Sequence, residues 1–201
     1  MPNTEKTTSS HGKLIAVVIA AAIVIVLAVL SAFVWPGWAV KHDDAAQQQT
    51  SQQEATTPSI EATALPDDAT ELLKAMPDSV LNYARVKAEA STAWESASPL
   101  EEYTVTYAVS ADSNDLTMTT AQWSAADAAK AQYDAVAGTL TGEELASGSV
   151  KVSGDATGSY VVKTDASDEK KAVALWQNDT VVFQVTGAKD DVMRFYQKFP
   201  L

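Results

Sequence analysis

The chain has 201 residues, with 26 acidic and 14 basic side chains, a net charge of −12, and 46% hydrophobic residues against 8 Gly and 7 Pro. That composition excludes collagen-like and wholly disordered chains. With no cluster of Lys and Arg it also argues against a nucleic-acid partner, because phosphate binding needs clustered cations that release counterions. Cysteine is absent, which removes disulfide frameworks, thiolate catalysis, iron–sulfur ligation and lipid attachment through cysteine.

Residues 14–34 read LIAVVIAAAIVIVLAVLSAFV, a run of 21 without charge, Gly or Pro. About 20 apolar residues are what a helix needs to cross the hydrocarbon core, so this run is expected to be a transmembrane helix in the lipid bilayer. Pro36 and Gly37 end it, and Trp35 and Trp38 are the expected anchors at the far interface, where amphipathic indoles settle. A cleaved signal peptide is the alternative, although its apolar region usually spans only about 7 to 15 residues. Lys6, Lys13 and the terminal amine precede the span, whereas Lys41 is answered by Asp43 and Asp44. Residues 1–13 are therefore expected in the cytoplasm, and everything beyond the span outside it, in a single-pass protein of the cell membrane. Gly12, Ala16 and Ala20 recur every four residues, as do Ala28 and Ala32. Small residues so spaced let helices approach closely, which makes the span a candidate homo-oligomer contact.

Residues 35–65 form a juxtamembrane segment and a linker rich in Gln, Thr, Ser and Ala, a composition that cannot bury enough surface to fold. The folded domain is expected over 66–201. Asp68 with Glu71 makes a capping pair for a helix running to Met76, with Leu72, Leu73 and Met76 buried and Pro77 as its stop. Across 80–97, Ala84, Val86, Ala88 and Ala90 alternate with charged residues in the manner of a strand. YTVTYAVS at 103–110 and LTMTTAQW at 116–123 predict a hairpin across the turn ADSND. Ser124 and Asp127 then open a helix with Ala129, Tyr133, Val136 and Leu140 on one side.

The second half repeats this grammar. Strands are expected at 150–152, 160–163, 172–177 and 180–186, the last two joined by a tight turn at Asn178 and Asp179. A helix follows from about Ala188, with Asp190 and Asp191 at its start, Arg194 and Lys198 near its end, and Val192, Phe195, Tyr196 and Phe199 on its apolar face. The expected fold class is α+β: a mainly antiparallel sheet of about six or seven strands with two main helices on one face, its ββα units suggestive of duplication. TVVFQVT, apolar on both sides, is the candidate central strand.

The two histidines, His11 and His42, flank the span, and neither falls in the folded domain. Ser-His-Asp, Cys-His and histidine–zinc chemistry all lack a group they need there, so neither a cofactor nor a metal is expected. Ser167 and Lys170 fit Ser-x-x-Lys, but they lie in a polar stretch between strands and no Ser-Asp-Asn follows. Asp112, Asn114 and Asp115 resemble the start of a calcium loop that lacks its glycine. Carboxylates adjoin at Asp67/Asp68, Glu101/Glu102, Glu143/Glu144 and Asp190/Asp191, where capping or solvation is the ordinary role. Trp123 and Trp176 sit inside strand patterns and are expected in the core. Trp94, in the unpatterned STAWESAS, is the tryptophan expected to face solvent and the candidate contact for a ligand or partner.

Anchor, tether and small α+β module is a layout shared by many bacterial envelope proteins, and no motif names a family. The expectation is a non-catalytic binding or interaction module whose partner is an envelope protein or cell-wall component. The alternatives are an envelope hydrolase using paired carboxylates and an accessory subunit of a membrane assembly.

Overall fold

The computed structural model describes residues 55–113 and 115–200. The span at 14–34, Trp35, Trp38, Gly12, Ala16, Ala20, Ala28, Ala32 and both histidines lie outside the described residues. No helix among the described residues is long and apolar enough to cross a membrane.

The elements in chain order are α1 (Glu71–Ala75), β1 (Ser79–Val80), β2 (Tyr83–Ala90), a 3₁₀ turn (Glu95–Ala97), β3 (Glu101–Ala108), β4 (Leu116–Gln122), α2 (Ala126–Thr139), β5 (Glu144–Val152), β6 (Asp155–Thr164), β7 (Lys171–Asn178), β8 (Val181–Ala188) and α3 (Lys189–Lys198). They make an α+β fold around one eight-stranded sheet of order β1-β2-β3-β4-β8-β7-β6-β5, antiparallel throughout. Each half of the domain is thus a four-stranded meander followed by a helix, and the meanders meet where β4 pairs with β8 over seven residues, from Leu116↔Gly187 to Gln122↔Val181. TVVFQVT lies in β8, well inside the sheet, as its apolar pattern on both sides requires.

The expectation of two helices on one face is corrected. All six residues from Ala172 to Gln177 of β7 are buried, so both faces of that strand need cover. α3 covers one face, placing Val192 and Phe195 among Trp176, Phe183, Ala174, Val185, Tyr83 and Tyr107. α2 covers the other, where Ala129 and Tyr133 pack with Leu175, Val182, Val161 and Ala121. Alternation with Thr in β3 and β4 predicts a single apolar face, and that pattern holds only in their half of the sheet. A rotation exchanging β4 with β8 leaves each helix on its own face, so it does not superpose α2 on α3. The two halves share a grammar without sharing a symmetry.

Smaller differences have local causes. Thr70, and not Asp68, caps α1, its hydroxyl accepting from the Leu73 N–H at 3.3 Å. Ala125 and Ala188 precede α2 and α3 with no side-chain cap. The β7–β8 turn falls one residue later than expected, on Asp179 and Thr180, with Asp179 taking the positive φ of 50°. The expected strand across 80–97 ends at Ala90. β5 begins at Glu144, well before the expected 150, and the short β1 raises the strand number to eight.

The end of the expected tether lies against the domain, so the boundary at 66 is also corrected. The Thr63 N–H donates to the Arg85 carbonyl at 2.7 Å, and its hydroxyl donates to the Val86 carbonyl at 2.9 Å. Leu65 packs on the core. The Arg85 guanidinium, 2% exposed, organises this corner. It donates to the carbonyls of Met76 (2.9 Å), Pro77 (3.3 Å) and Thr63 (3.2 Å) and to the Asp78 carboxylate (2.7 Å). A planar cation with a fork of donors suits carbonyls converging from two segments. Arg85→Ala leaves these buried carbonyls unpaired and is expected to destabilise the fold by about 3 kcal/mol, read as a lowered denaturant midpoint at unchanged slope. Arg85→Lys, which has fewer donors and a different shape, is expected to recover only part of that loss.

Candidate binding site

Aromatic side chains of β6, β7, β8 and α3 form one connected cluster. Trp176 stacks on its cross-strand neighbour Phe183 with ring centroids 4.9 Å apart and planes 13° from parallel. Phe199 meets Trp176 edge-on at 5.3 Å, Tyr196 lies 5.2 Å from the same indole, and Tyr160 is 5.1 Å from Tyr196. The i, i+3, i+4, i+7 spacing of Val192, Phe195, Tyr196 and Phe199 brings these rings to the sheet. Where the β5–β6 hairpin passes the end of α3, a cleft of about 270 Å³ opens between Val150 and Lys151 on one side and Trp176, Tyr196, Gln197 and Phe199 on the other. Tyr196 and Phe199 form one wall over the buried Trp176, and Ser149, Lys151 and Gln197 make the rest of the lining largely polar. The Trp176 indole N–H is buried and without a hydrogen-bond partner.

The hairpin beside this cleft is shaped by two glycines. Gly154, at φ 99°, completes with Ser153 the two-residue turn between Val152 and Asp155. At Gly158 a Cβ would stand 1.9 Å from the Gln177 carbonyl oxygen, so only glycine lets β6 run past the end of β7.

A second surface is polar. Register places Lys87, Thr106, Thr117 and Thr186 in one cross-strand row and Glu89, Thr104, Thr119 and Gln184 in the next, on the face that α2 covers elsewhere. At its end, a cleft of about 410 Å³ is lined by Thr117, Thr186, Asp115, Asp165 and Lys171. Both carboxylates already serve turns. Asp115 accepts from the Val109 N–H and the Ser113 hydroxyl at 2.7 Å each. Asp165 accepts from the Ser167 N–H and hydroxyl, and these bonds hold its carboxyl below the usual range.

The other sequence candidates resolve into structural roles. Trp94 is 8% exposed, which corrects the expectation that it faces solvent. It packs against Trp123 with centroids 6.2 Å apart, and its backbone N–H donates to both oxygens of Glu102. Its surroundings lack periodicity because they form a turn and a 3₁₀ segment, and burial there comes from distant parts of the chain. The Trp123 indole N–H donates to the Ala97 carbonyl at 2.9 Å and seats that segment. Ser167 hydrogen-bonds Asp165 in the loop before β7. Among the carboxylate neighbours, Glu102 accepts from Ser91 and Trp94, and Asp191 accepts from the Tyr83 hydroxyl at 2.5 Å. Among the described residues no group of three or more acidic or histidine side chains is placed to hold a metal. Sequence reasoning missed the cleft itself. Its signal was the concentration of aromatic residues at Tyr160, Trp176 and Phe183 and along the C-terminal helix.

Comparisons with known proteins add little to this geometry. No protein-family model and no curated protein matches the chain. Among solved structures, the crystal structure of a GTP binding regulator from Thermotoga maritima is similar over 58% of this chain and 77% of that one, at 9% identity and a TM-score of 0.37. A likeness that distant carries no argument about this protein.

Burial pushes the phenols of Tyr196, Tyr107 and Tyr83 above their ordinary range, and for Tyr83 the bond to Asp191 adds to the effect. Unfolded tyrosine ionises near pH 10, so above that pH the unfolded state gives up its protons first. Stability from these groups is therefore complete below about pH 10 and is lost as pH rises beyond it. Denaturation midpoints across that range are expected to fall with pH, less steeply in Tyr196→Phe. Tyr83→Phe is expected to cost about 2 kcal/mol at pH 7, where the bond to a carboxylate is intact.

Proposed function

We propose that the protein is a non-catalytic binding module, held by residues 14–34 as a single-pass anchor with its α+β domain on the extracytoplasmic side of the cell membrane. The uncharged apolar run of 21 residues carries this reading, because a stretch that long suits the bilayer better than the core of a domain this small. The lysines before the span favour a cytoplasmic N-terminus, with Trp35 and Trp38 as interfacial anchors. Gly12, Ala16, Ala20, Ala28 and Ala32 offer a face on which two spans can pack as a homo-oligomer.

A binding role fits a domain whose sequence holds neither imidazole nor thiol beyond His42, and whose Glu102 and Asp191 are engaged by Trp94 and Tyr83. The aromatic cleft beside α3 is the contact surface for an envelope protein or cell-wall component. Protease added to intact cells or spheroplasts is expected to remove a C-terminal tag while an N-terminal tag survives. Protection of the C-terminal tag would reverse the topology and end the envelope reading.

A further inference from the structure

The cleft beside the C-terminal half of α3 differs in charge from the molecule around it. The chain has a net charge of −12, yet no carboxylate lines this cleft. Its cation is Lys151. The ion pairs of the domain engage Lys74, Arg85, Lys87 and Lys130, and Lys163 donates to the Leu140 carbonyl, whereas Lys151 has no such partner among the described residues. Neighbours on a regular strand face opposite ways, but the β5–β6 register shifts between Val150 and Lys151, and both residues line the cleft. Trp176 lines it too, 1% exposed, and its indole N–H, which can only donate, is satisfied by no group of the protein.

These side chains select a ligand by exclusion. A lining with a free cation, an unpaired donor and no carboxylate suits an anionic acceptor. A sugar presents hydroxyls that each need an acceptor, and side-chain acceptors here are confined to Ser149, Tyr196 and Gln197. A phosphate monoester carries nearly two charges, and Lys198, the next cation along α3, lines a different cleft that shares only Gln197 with this one. A carboxylate, with a single charge, matches the single lysine. Val150, Tyr196 and Phe199 stand beside that lysine, so the ligand must set an apolar group next to its charge. An aspartate or glutamate side chain has no such group. The last residue of a polypeptide, when apolar, has both within one residue, and the Gln197 amide, donor and acceptor at once, matches the peptide bond before it. The cleft, of about 270 Å³, has room for one such residue.

We infer that the cleft captures the apolar C-terminal residue of a partner polypeptide: Lys151 pairs with the terminal carboxylate, Tyr196 and Phe199 receive the side chain, and the Trp176 indole N–H supplies a second donor. This names the partner class for the contact surface proposed above and rests on that reading for the partner's place in the envelope. The chemistry of the cleft is the same on either side of a membrane.

The test titrates the full chain in detergent with acetyl-alanyl-leucine, as the free acid and as its C-terminal amide, and follows backbone and indole N–H resonances. The free acid is expected to move the signals of Lys151 and of the Trp176 indole, and the amide to bind about tenfold more weakly. Lys151 is exposed, so Lys151→Gln leaves the fold intact; it is expected to weaken the acid roughly three- to tenfold and to leave the amide unchanged. Equal binding of acid and amide would overturn the inference, as would no shift with either probe or an acid indifferent to Lys151→Gln. Acetyl-aspartyl amide or N-acetylmuramic acid binding as tightly as the peptide acid would assign the cleft to an internal acidic residue or to an acidic sugar and equally overturn it. The two readings fail separately. An empty cleft in detergent, beside a C-terminal tag that protease removes from cells, ends this assignment and leaves the anchored module; acid-selective binding beside a protected tag does the reverse.

Discussion

The antiparallel pairing of β4 with β8 is the constraint on which the rest of the domain depends. Each four-stranded meander is a local structure, built from neighbours in sequence. Only this seam, between residues about 60 to 70 apart in the chain, turns two small sheets into one. Because β8 returns to the middle, β7 is drawn inward and the β5–β6 hairpin is carried to the far edge. The inner strands β7 and β8 then receive a helix on each face, and the core is thickest there. The aromatic cleft beside α3 and the open edge of β5 are both consequences of that one topological choice.

Burial of polar groups follows the same geography. Where the chain enters the domain, Arg85 gathers carbonyls from two segments and secures the β2 edge, with Tyr107 donating to the Pro77 carbonyl beside it. Between β2 and α3, the Tyr83 hydroxyl and the Asp191 carboxylate join elements far apart in sequence. A buried arginine or tyrosine must find partners, and here each finds them on a neighbouring element, fixing that element's position as it does so. At the far end of the sheet the clasps lie at the base of the β5–β6 hairpin, where Lys163 donates to the Leu140 carbonyl and the Thr164 hydroxyl accepts from the Glu143 N–H, and the tip of the hairpin is exposed.

Much of this was legible beforehand, for reasons that differ from element to element. The Thr alternation in β3 and β4, the two-sided apolar run of β8 and the spaced aromatics of α3 are local patterns whose periods give strand or helix directly. The burial of Trp94 was not legible, because it depends on Glu102 and Trp123 meeting a turn that has no period of its own. Nor was the placement of α2 and α3 on opposite faces. Helix amphipathicity says that a face is buried, not which side of the sheet buries it, and only the unbroken apolar run in β7 held a clue. The full length of β5 is hidden in the sequence because Leu145 to Ser149 alternates weakly and holds small residues. The aromatic cleft needs β6, β7 and α3 together, and no stretch of sequence contains all three.

The claim that the β4–β8 seam makes one cooperative domain is tested most directly by native-state hydrogen exchange of the full chain in lipid or detergent. Amides of β4, β8 and β7 are expected to exchange slowest, with a common opening free energy equal to that of global unfolding, while the outer amides of β5 exchange fastest among the strands. Slow exchange within each meander, with the seam opening at a lower free energy, would show two units that merely dock and would contradict the account.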